Sequence, residues 1–120
     1  MTKALIRTAV RWKIPRDLAL QVIARDLGCI YCGRTFEPLP FSRTAWTSWE
    51  HIVNDGALVN AENIALCCFG CNSSKGTKPL VNWLQSKYCR ERGITGRTIA
   101  PVARRLSEPV YCLESHANDG

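Results

Sequence analysis

The sequence lacks any long run of apolar residues. Its longest uninterrupted apolar segment, residues 64–69, has six members, whereas a membrane-spanning helix needs about 20. The beginning of the chain also lacks the apolar stretch of a secretory signal, because Arg11 and Lys13 interrupt it. We therefore expect a protein without a membrane span and without export by that route.

Acidic residues are the scarcer charged type. The chain has 10 Asp and Glu against 16 Lys and Arg, which gives a net charge of +6. This excess favours an anionic partner, with nucleic acid as the first candidate. The 120 residues, 46% of them hydrophobic, suffice for one domain with a packed core.

The basic charge is concentrated in two parts of the sequence. Residues 1–16 hold five basic side chains and no acidic one, and residues 75–105 hold eight against a single glutamate. Residues 37–62 hold four acidic side chains against one basic. This distribution suits a protein that binds phosphates at its edges and holds a cation in between. The alternative interpretation is that the basic residues are solvated helix faces.

Cysteine, in contrast, is abundant, with seven residues. Four of them form two C-x-x-C pairs separated by 35 residues, Cys29 with Cys32 and Cys68 with Cys71. In the reducing, cytoplasmic setting that we expect, such pairs predict a structural zinc with four sulfur ligands. Two disulfides, or one redox dithiol beside a buried pair, are the alternatives. Cys67 is a rival of Cys68, with a less usual spacing.

The isolated cysteines and three of the tryptophans are expected to be structural. Cys89 and Cys112 are predicted to be small buried side chains. Trp46, Trp49 and Trp83 are expected in the core rather than as platforms for nucleic-acid bases.

Hydrophobic spacing and turn residues predict an α+β protein. Pro15 and Gly28 bracket an amphipathic helix, as its first helical position and its C-terminal cap. In chain order, the other predicted elements are a basic arm of undefined structure over 1–14, an irregular loop over 34–45, a strand over 46–53, a second, antiparallel strand over 64–66, a short helix over 72–75, helices over 79–92 and 97–106, and a frayed tail over 115–120.

A constellation of polar residues accompanies the cysteine pairs. Glu50 and His51 are adjacent in the first predicted strand, and Asn63 precedes the second. Asn72 directly follows the last paired cysteine, with a lysine three residues later. Over about residues 29–76 these features resemble the HNH endonuclease family, in its cysteine-knuckle subgroup.

The resemblance implies a ββα-metal (His-Me finger) core with flanking helices in a single domain. His51 would be the general base that activates water, and Glu50 with Asn72 would hold one catalytic divalent cation. Asn63 would brace the loop between the strands and help to orient His51. Family members are nucleases that act mostly on DNA and leave 5′-phosphate and 3′-hydroxyl ends.

The chemistry of phosphodiester hydrolysis suits these residue types independently of the family. Histidine side chains exchange protons near neutral pH, as a base for water must. Carboxylate and amide oxygens are suitable ligands for Mg²⁺ or Mn²⁺, which neutralise charge on a phosphoryl group. Because strand side chains alternate, the strand must end, twist or bulge for Glu50 and His51 to reach one site.

Basic residues outside the constellation are the expected contacts to DNA. The candidates are Arg11, Lys13, Lys75, Lys78, Arg104 and Arg105. Lys75 has an alternative place as a cap of the short helix. Since one chain carries one active site, cutting both strands requires a homodimer or two successive nicks.

Two other functions fit the same residues. One is a non-catalytic zinc-ribbon protein that binds nucleic acid through an inactive centre, and the other is an RNase of similar fold. A bacterial or phage-encoded protein is the expected setting, and restriction, phage DNA processing and mobile-element mobility are all compatible with the sequence.

Overall fold

The computed structural model describes residues 1–107, so Cys112 and the predicted tail at 115–120 lie outside the described residues. The helices and strands are α1 (Thr2–Arg11), α2 (Arg16–Arg25), β1 (Thr47–His51), β2 (Ile64–Cys68), α3 (Phe69–Lys75), α4 (Leu80–Trp83), α5 (Lys87–Arg92) and α6 (Pro101–Arg104), with 3-10 turns at Arg43–Ala45 and Arg105–Ser107. This order agrees with the expected α+β class. No helix among these residues has the length and apolarity needed to cross a bilayer.

The two strands form an antiparallel sheet, as the sequence predicts. β1 pairs with β2 so that Thr47 lies opposite Cys68 and His51 lies opposite Ile64. Every residue of β2 is buried, whereas β1 is buried only in part. β1 is shorter than the predicted strand over 46–53, and β2 continues two residues past its predicted end.

α3 follows β2 without a loop, and the second C-x-x-C pair forms its first turn. The Cys68 sulfur caps the helix by accepting a hydrogen bond from the Cys71 N–H at 3.4 Å. The helix therefore begins at Phe69, earlier than predicted, and ends at Lys75 as predicted, with Gly76 as its C-terminal cap. Gly76 has a φ of +54°, a conformation that favours glycine. Cys68 of this pair therefore belongs to β2 and Cys71 to α3, so the pair joins the sheet to the helix.

The basic arm over residues 1–14, whose structure the sequence left open, is largely a helix. α1 buries Leu5 and Ala9, which are four residues apart and lie on one face. The indole N–H of Trp49 donates to the Leu5 carbonyl oxygen at 2.8 Å, which ties α1 to β1. The basic residues at positions 3, 7 and 11 repeat with the same spacing and form the exposed face.

The C-terminal helices are more interrupted than predicted. Ser86 breaks the expected helix over 79–92, because its hydroxyl caps α5 by accepting the Cys89 N–H at 3.2 Å. Pro101 begins α6, so the helix expected over 97–106 is restricted to its second half. Local capping residues therefore divide two predicted helices into shorter pieces.

The core joins aromatic residues of the first cysteine pair to those of the C-terminal helices. Trp83 is fully buried, and its ring lies 5.0 Å from that of Tyr31 between centroids. Trp49 and Cys89 are also buried, as predicted. The prediction for Trp46 is wrong, since its side chain is 49% exposed. It precedes β1, where an arginine guanidinium rather than the core lies against its ring.

Candidate functional site

The four cysteines of the two C-x-x-C pairs meet in one cluster. Their sulfur atoms all lie within 4.8 Å of one another, and those of Cys32 and Cys68 are 3.8 Å apart. Tetrahedral zinc with Zn–S bonds of about 2.3 Å requires sulfur atoms about 3.8 Å apart. All four are free thiols rather than disulfides. The cluster can therefore hold a metal ion such as zinc.

The first pair lies in a tight turn that depends on glycine at two positions. Gly33 has a φ of +80°, in the left-handed region that other residues rarely adopt. A Cβ atom on Gly28 would lie 2.8 Å from the Arg34 carbonyl oxygen, so the two arms of the turn approach too closely for a side chain. Gly28 was predicted to cap α2, but that helix already ends at Arg25. Gly28 instead allows two backbone segments of the turn to approach each other closely.

Backbone N–H groups point at sulfur atoms in both pairs. Those of Tyr31 and Cys32 lie 3.4 and 3.5 Å from the Cys29 sulfur, and that of Cys71 lies 3.4 Å from the Cys68 sulfur. Hydrogen bonding with Cys29 lowers the pKa of Cys32 to about 6 and also lowers that of Cys68, whereas the pKa of Cys29 and that of Cys71 are raised. The cluster thus favours the thiolate, the form that binds metal, at two of its members.

The helix that begins at the cysteine cluster also lines a surface cavity of about 410 Å³, a volume typical of ligand sites. Glu50, His51 and Asn72 are among its lining residues. β1 ends directly after His51, and both Glu50 and His51 lie in regular register, opposite Ala65 and Ile64. The Nε2 atom of His51 is buried and, within residues 1–107, has no hydrogen-bond partner.

Asn72 is fixed at the cavity by bonds to β1. Its side-chain nitrogen Nδ2 donates to the Ser48 hydroxyl and to the Trp49 carbonyl oxygen, both at 3.0 Å. Because both bonds use the nitrogen, the amide oxygen Oδ1 is left as a ligand atom for a cation. Asn72 also directly follows Cys71 on α3, so the cysteine cluster sets the position of its backbone.

Asn63 braces the loop between the strands, as predicted. Its Oδ1 accepts the Val53 N–H at 2.7 Å, and its Nδ2 donates to the carbonyl oxygens of Val53 and Leu58 at 3.1 and 3.0 Å. Its own carbonyl oxygen accepts the Ile52 N–H at 2.9 Å. Asn63 is 3% exposed and therefore fixes the backbone that leaves β1 directly after His51.

Glu50 takes part in a buried polar cluster that the sequence did not predict. Its Oε2 accepts a hydrogen bond from the Tyr31 hydroxyl at 2.7 Å and lies 3.2 Å from the Lys75 ammonium nitrogen. The three residues are at most 5% exposed. Burial, and then the charge of Glu50, raise the pKa of Tyr31 well above its usual range, so its hydroxyl remains a donor.

The position of Lys75 corrects the prediction that it contacts phosphate. Its ammonium group is buried and faces Glu50 rather than solvent. The contact is electrostatic, since among the described residues Nζ has no partner in hydrogen-bond geometry. A phosphate at the surface cannot reach the ammonium group of Lys75, because this group is buried between α3 and Glu50 of β1.

The other candidate contacts to nucleic acid lie at the surface. Those that are exposed are Arg11, Lys13, Lys78, Arg104 and Arg105. Arg105 lies 3.3 Å from the carboxylate of Glu62, and the Lys78 ammonium donates to the Ser74 carbonyl oxygen at 3.2 Å. Exposure is compatible with phosphate binding at these positions, which stays a prediction.

Trp12 and Tyr31 are among the residues of the site that were not predicted from the sequence. Trp12 lines the cavity, and its ring lies edge-on to that of His51 at 6.5 Å between centroids. Its signal in the sequence is a tryptophan between two basic residues, Arg11 and Lys13. Tyr31, which holds Glu50, lies between the two cysteines of the first pair.

No protein-family model matches this chain, and neither the curated proteins nor the solved structures contain a match. Two features of the molecule bear on its function, the four-cysteine cluster and the cavity beside it. The cluster is built on the first cysteine pair, β2 and α3, and the cavity is lined mainly by α1, β1 and α3.

Proposed function

We propose that this protein is a zinc-stabilised, HNH-type endonuclease that hydrolyses DNA phosphodiester bonds with a divalent cation, Mg²⁺ or Mn²⁺. The proposal is carried by the convergence of Glu50, His51 and Asn72 on one cavity. Two further observations support it: the strand–strand–helix order beside a four-cysteine cluster, and a net charge of +6 that favours an anionic substrate.

His51 acts as the general base in this proposal. Its Nε2 is buried, so Nδ1 is the ring nitrogen that takes the proton from the attacking water. The water oxygen forms a bond to phosphorus while the bond to the 3′ oxygen breaks, and the departing 3′ oxygen takes a proton from bulk water. The products then carry a 5′-phosphate and a 3′-hydroxyl. A general base of this kind contributes a rate factor of about 10²–10⁴.

Asn72 and Glu50 supply the oxygen ligands for the cation. Asn72 offers Oδ1, because Nδ2 makes both of its hydrogen bonds to β1. Glu50 offers Oε1, because Oε2 is engaged by Tyr31 and Lys75. Bound Mg²⁺ or Mn²⁺ would neutralise charge on the phosphoryl oxygens and on the departing 3′ oxygen. The cysteine cluster holds α3, and with it Asn72, against the strands.

The test is a cleavage assay on supercoiled plasmid DNA, single-stranded circular DNA and RNA, each with and without Mg²⁺. We expect Mg²⁺-dependent cleavage of DNA with ligatable ends, and a loss of about 10²-fold or more in His51→Ala. His116→Ala, which removes the other histidine of the sequence, is the matched control and keeps full activity. Zinc content is measured in each variant, so that a loss of activity is not confused with a loss of folding.

Three outcomes would overturn the proposal. Cleavage of RNA with both DNA substrates intact would reassign the protein as an RNase. Equal cleavage by His51→Ala and by the unchanged protein would remove His51 from the mechanism. Binding of DNA without cleavage under any divalent cation would indicate a non-catalytic binding protein.

The alternative function, non-catalytic binding of nucleic acid, has a specific observation in its favour. The ammonium group of Lys75 lies 3.2 Å from Glu50 in a buried position, and a fixed positive charge there opposes a second cation at the same carboxylate. If this opposition prevails, the protein binds nucleic acid without cutting it. Calorimetric titration with Mn²⁺ distinguishes an endonuclease from a non-catalytic binding protein. An endonuclease centre binds Mn²⁺, and Asn72→Ala abolishes this binding.

A further inference from the structure

The residues around the cavity include aromatic rings that a folded protein would ordinarily bury. Trp12 is 59% exposed and Phe69 is 36% exposed, and both line the cavity together with His51 and Asn72. The two rings come from different elements, α1's C-terminal end and the start of α3. Exposed aromatic side chains grouped at one site mark a binding surface more often than a packing defect.

Basic groups accompany these rings. The guanidinium of Arg43 lies 5.5 Å from the ring centroid of Phe69 and 5.5 Å from that of Trp46, which is itself 49% exposed. Exposed Arg11 and Lys13 flank Trp12 in the sequence. The aromatic rim of the cavity, formed by Trp12 and Phe69, thus has basic side chains next to it: Arg11 and Lys13 beside Trp12 in the sequence and Arg43 beside the Phe69 ring, none of which lines the cavity itself.

We infer that the substrate of this site is single-stranded DNA, or a DNA strand whose bases are unpaired, with Trp12 and Phe69 stacking on bases beside the scissile phosphate. This inference rests on the proposed function. Aromatic faces interleaved with basic side chains are the pattern by which proteins hold unpaired strands, since each base offers a π-face and each nucleotide a phosphate. In duplex DNA the base faces are stacked on one another and cannot reach these rings.

Trp12 is the residue that links base stacking to the reacting centre. Its ring lies edge-on to the His51 imidazole at 6.5 Å, so a base stacked on Trp12 would lie within one nucleotide of the proposed general base. Trp12 thus determines which nucleotide enters the cavity, and Phe69 supports the strand from the α3 side.

The binding test compares a single-stranded oligonucleotide with a duplex of the same sequence, titrated without added divalent cation. We expect tighter binding of the single strand, together with quenching of tryptophan fluorescence. Trp12→Ala should weaken single-strand binding by about 5- to 150-fold, the effect of losing one stacked base, and Trp12→Phe should restore part of it. The matched control is Phe41→Ala, a fully exposed aromatic that does not line the cavity.

Several results would overturn the inference. They are duplex binding as tight as that of the single strand, an equal effect of Trp12→Ala and Phe41→Ala, and self-association that Trp12→Ala abolishes without changing DNA binding. Its failure is distinguishable from failure of the proposed function. Cleavage of duplex DNA that Trp12→Ala leaves unchanged would refute the inference alone. Single-strand binding through Trp12 without cleavage by any divalent cation would refute the nuclease alone.

Discussion

At the scale of single residues, the identity of the metal ligands depends on a choice between two adjacent cysteines. Cys67 and Cys68 are both buried, but successive side chains of a strand point to opposite faces. The Cys68 sulfur joins the four-sulfur cluster, whereas that of Cys67 lies 3.8 Å from the Ser48 hydroxyl. The two side chains therefore have different roles despite their neighbouring positions.

We expect Cys68→Ala to lose the bound zinc and Cys67→Ala to keep it. A structural zinc supplies about 10–16 kcal/mol of apparent binding energy, so Cys68→Ala should unfold or melt far lower. Cys67→Ala removes one buried atom and should cost about 0.5–3 kcal/mol. Metal analysis by mass spectrometry and thermal unfolding measure both effects. Retention of zinc by Cys68→Ala with loss in Cys67→Ala would reverse the assignment of the ligands.

At the scale of elements, three segments are joined by one buried polar cluster. Tyr31 comes from the first cysteine turn, Glu50 from β1 and Lys75 from α3. The ion pair is far from solvent, so the removal of one partner leaves an uncompensated charge in the interior. Such a loss costs about 3–5 kcal/mol, much more than the loss of an exposed pair.

Lys75→Met should therefore destabilise the protein by about 3–5 kcal/mol, and Glu50→Gln should also destabilise it. The double variant should lose less than the sum of the two, because it leaves no unpaired charge. The matched control is Arg105→Met, which breaks the exposed pair with Glu62 and should cost at most about 1 kcal/mol. Urea unfolding of the zinc-loaded protein measures these differences. Equal effects of Lys75→Met and Arg105→Met would contradict the buried ion pair.

At the scale of the whole molecule, the charge is unevenly distributed and affects how any nucleic acid is bound. The net charge of +6 includes Arg11, Lys13 and Arg43 near the aromatic rim of the cavity. Each phosphate that such a residue neutralises releases counterions, so the affinity falls as the salt concentration rises.

For a single-stranded oligonucleotide, three phosphate contacts predict an affinity loss of about 20-fold between roughly 50 and 200 mM salt. Arg11→Ala combined with Lys13→Ala should reduce the slope of log affinity against log salt by about 1.4. Lys87→Ala combined with Arg90→Ala changes the net charge equally but on α5, which contributes no residue to the cavity, whereas Arg11 and Lys13 flank the cavity residue Trp12; this control should leave the slope nearly unchanged. Fluorescence anisotropy at several salt concentrations measures the slope. The same slope in both double variants would indicate binding through net charge alone.

The local sequence determined those parts of the molecule that depend on neighbours in the chain. The two C-x-x-C turns, the antiparallel strand pair and the helix end at Gly76 follow from spacing and from backbone-specific residues. These features need no knowledge of distant contacts.

Helix lengths were predicted less well where continuous apolar spacing competes with a capping residue or a tertiary contact. The apolar spacing over 79–92 is continuous, yet the hydroxyl of Ser86 caps a new helix within it. In α1 the basic residues made the apolar pair Leu5 and Ala9 hard to recognise as the buried face of a helix. The structure shows a tertiary contact that holds this helix, the hydrogen bond from the Trp49 indole to the Leu5 carbonyl oxygen. Helix propensity is summed over a window of many residues, whereas a helix cap or a tertiary hydrogen bond depends on a single donor or acceptor atom.

By itself, the sequence determined the four-sulfur cluster and the order of Glu50, His51 and Asn72, because the chain carries these groups at fixed separations. Only the tertiary structure decided their surroundings. It buried Lys75 against Glu50, and it brought Trp12 from a helix 39 residues away in the sequence to the ring of His51. Burial and long-range approach depend on how helices pack against the sheet, and that packing is a property of the whole fold rather than of any segment.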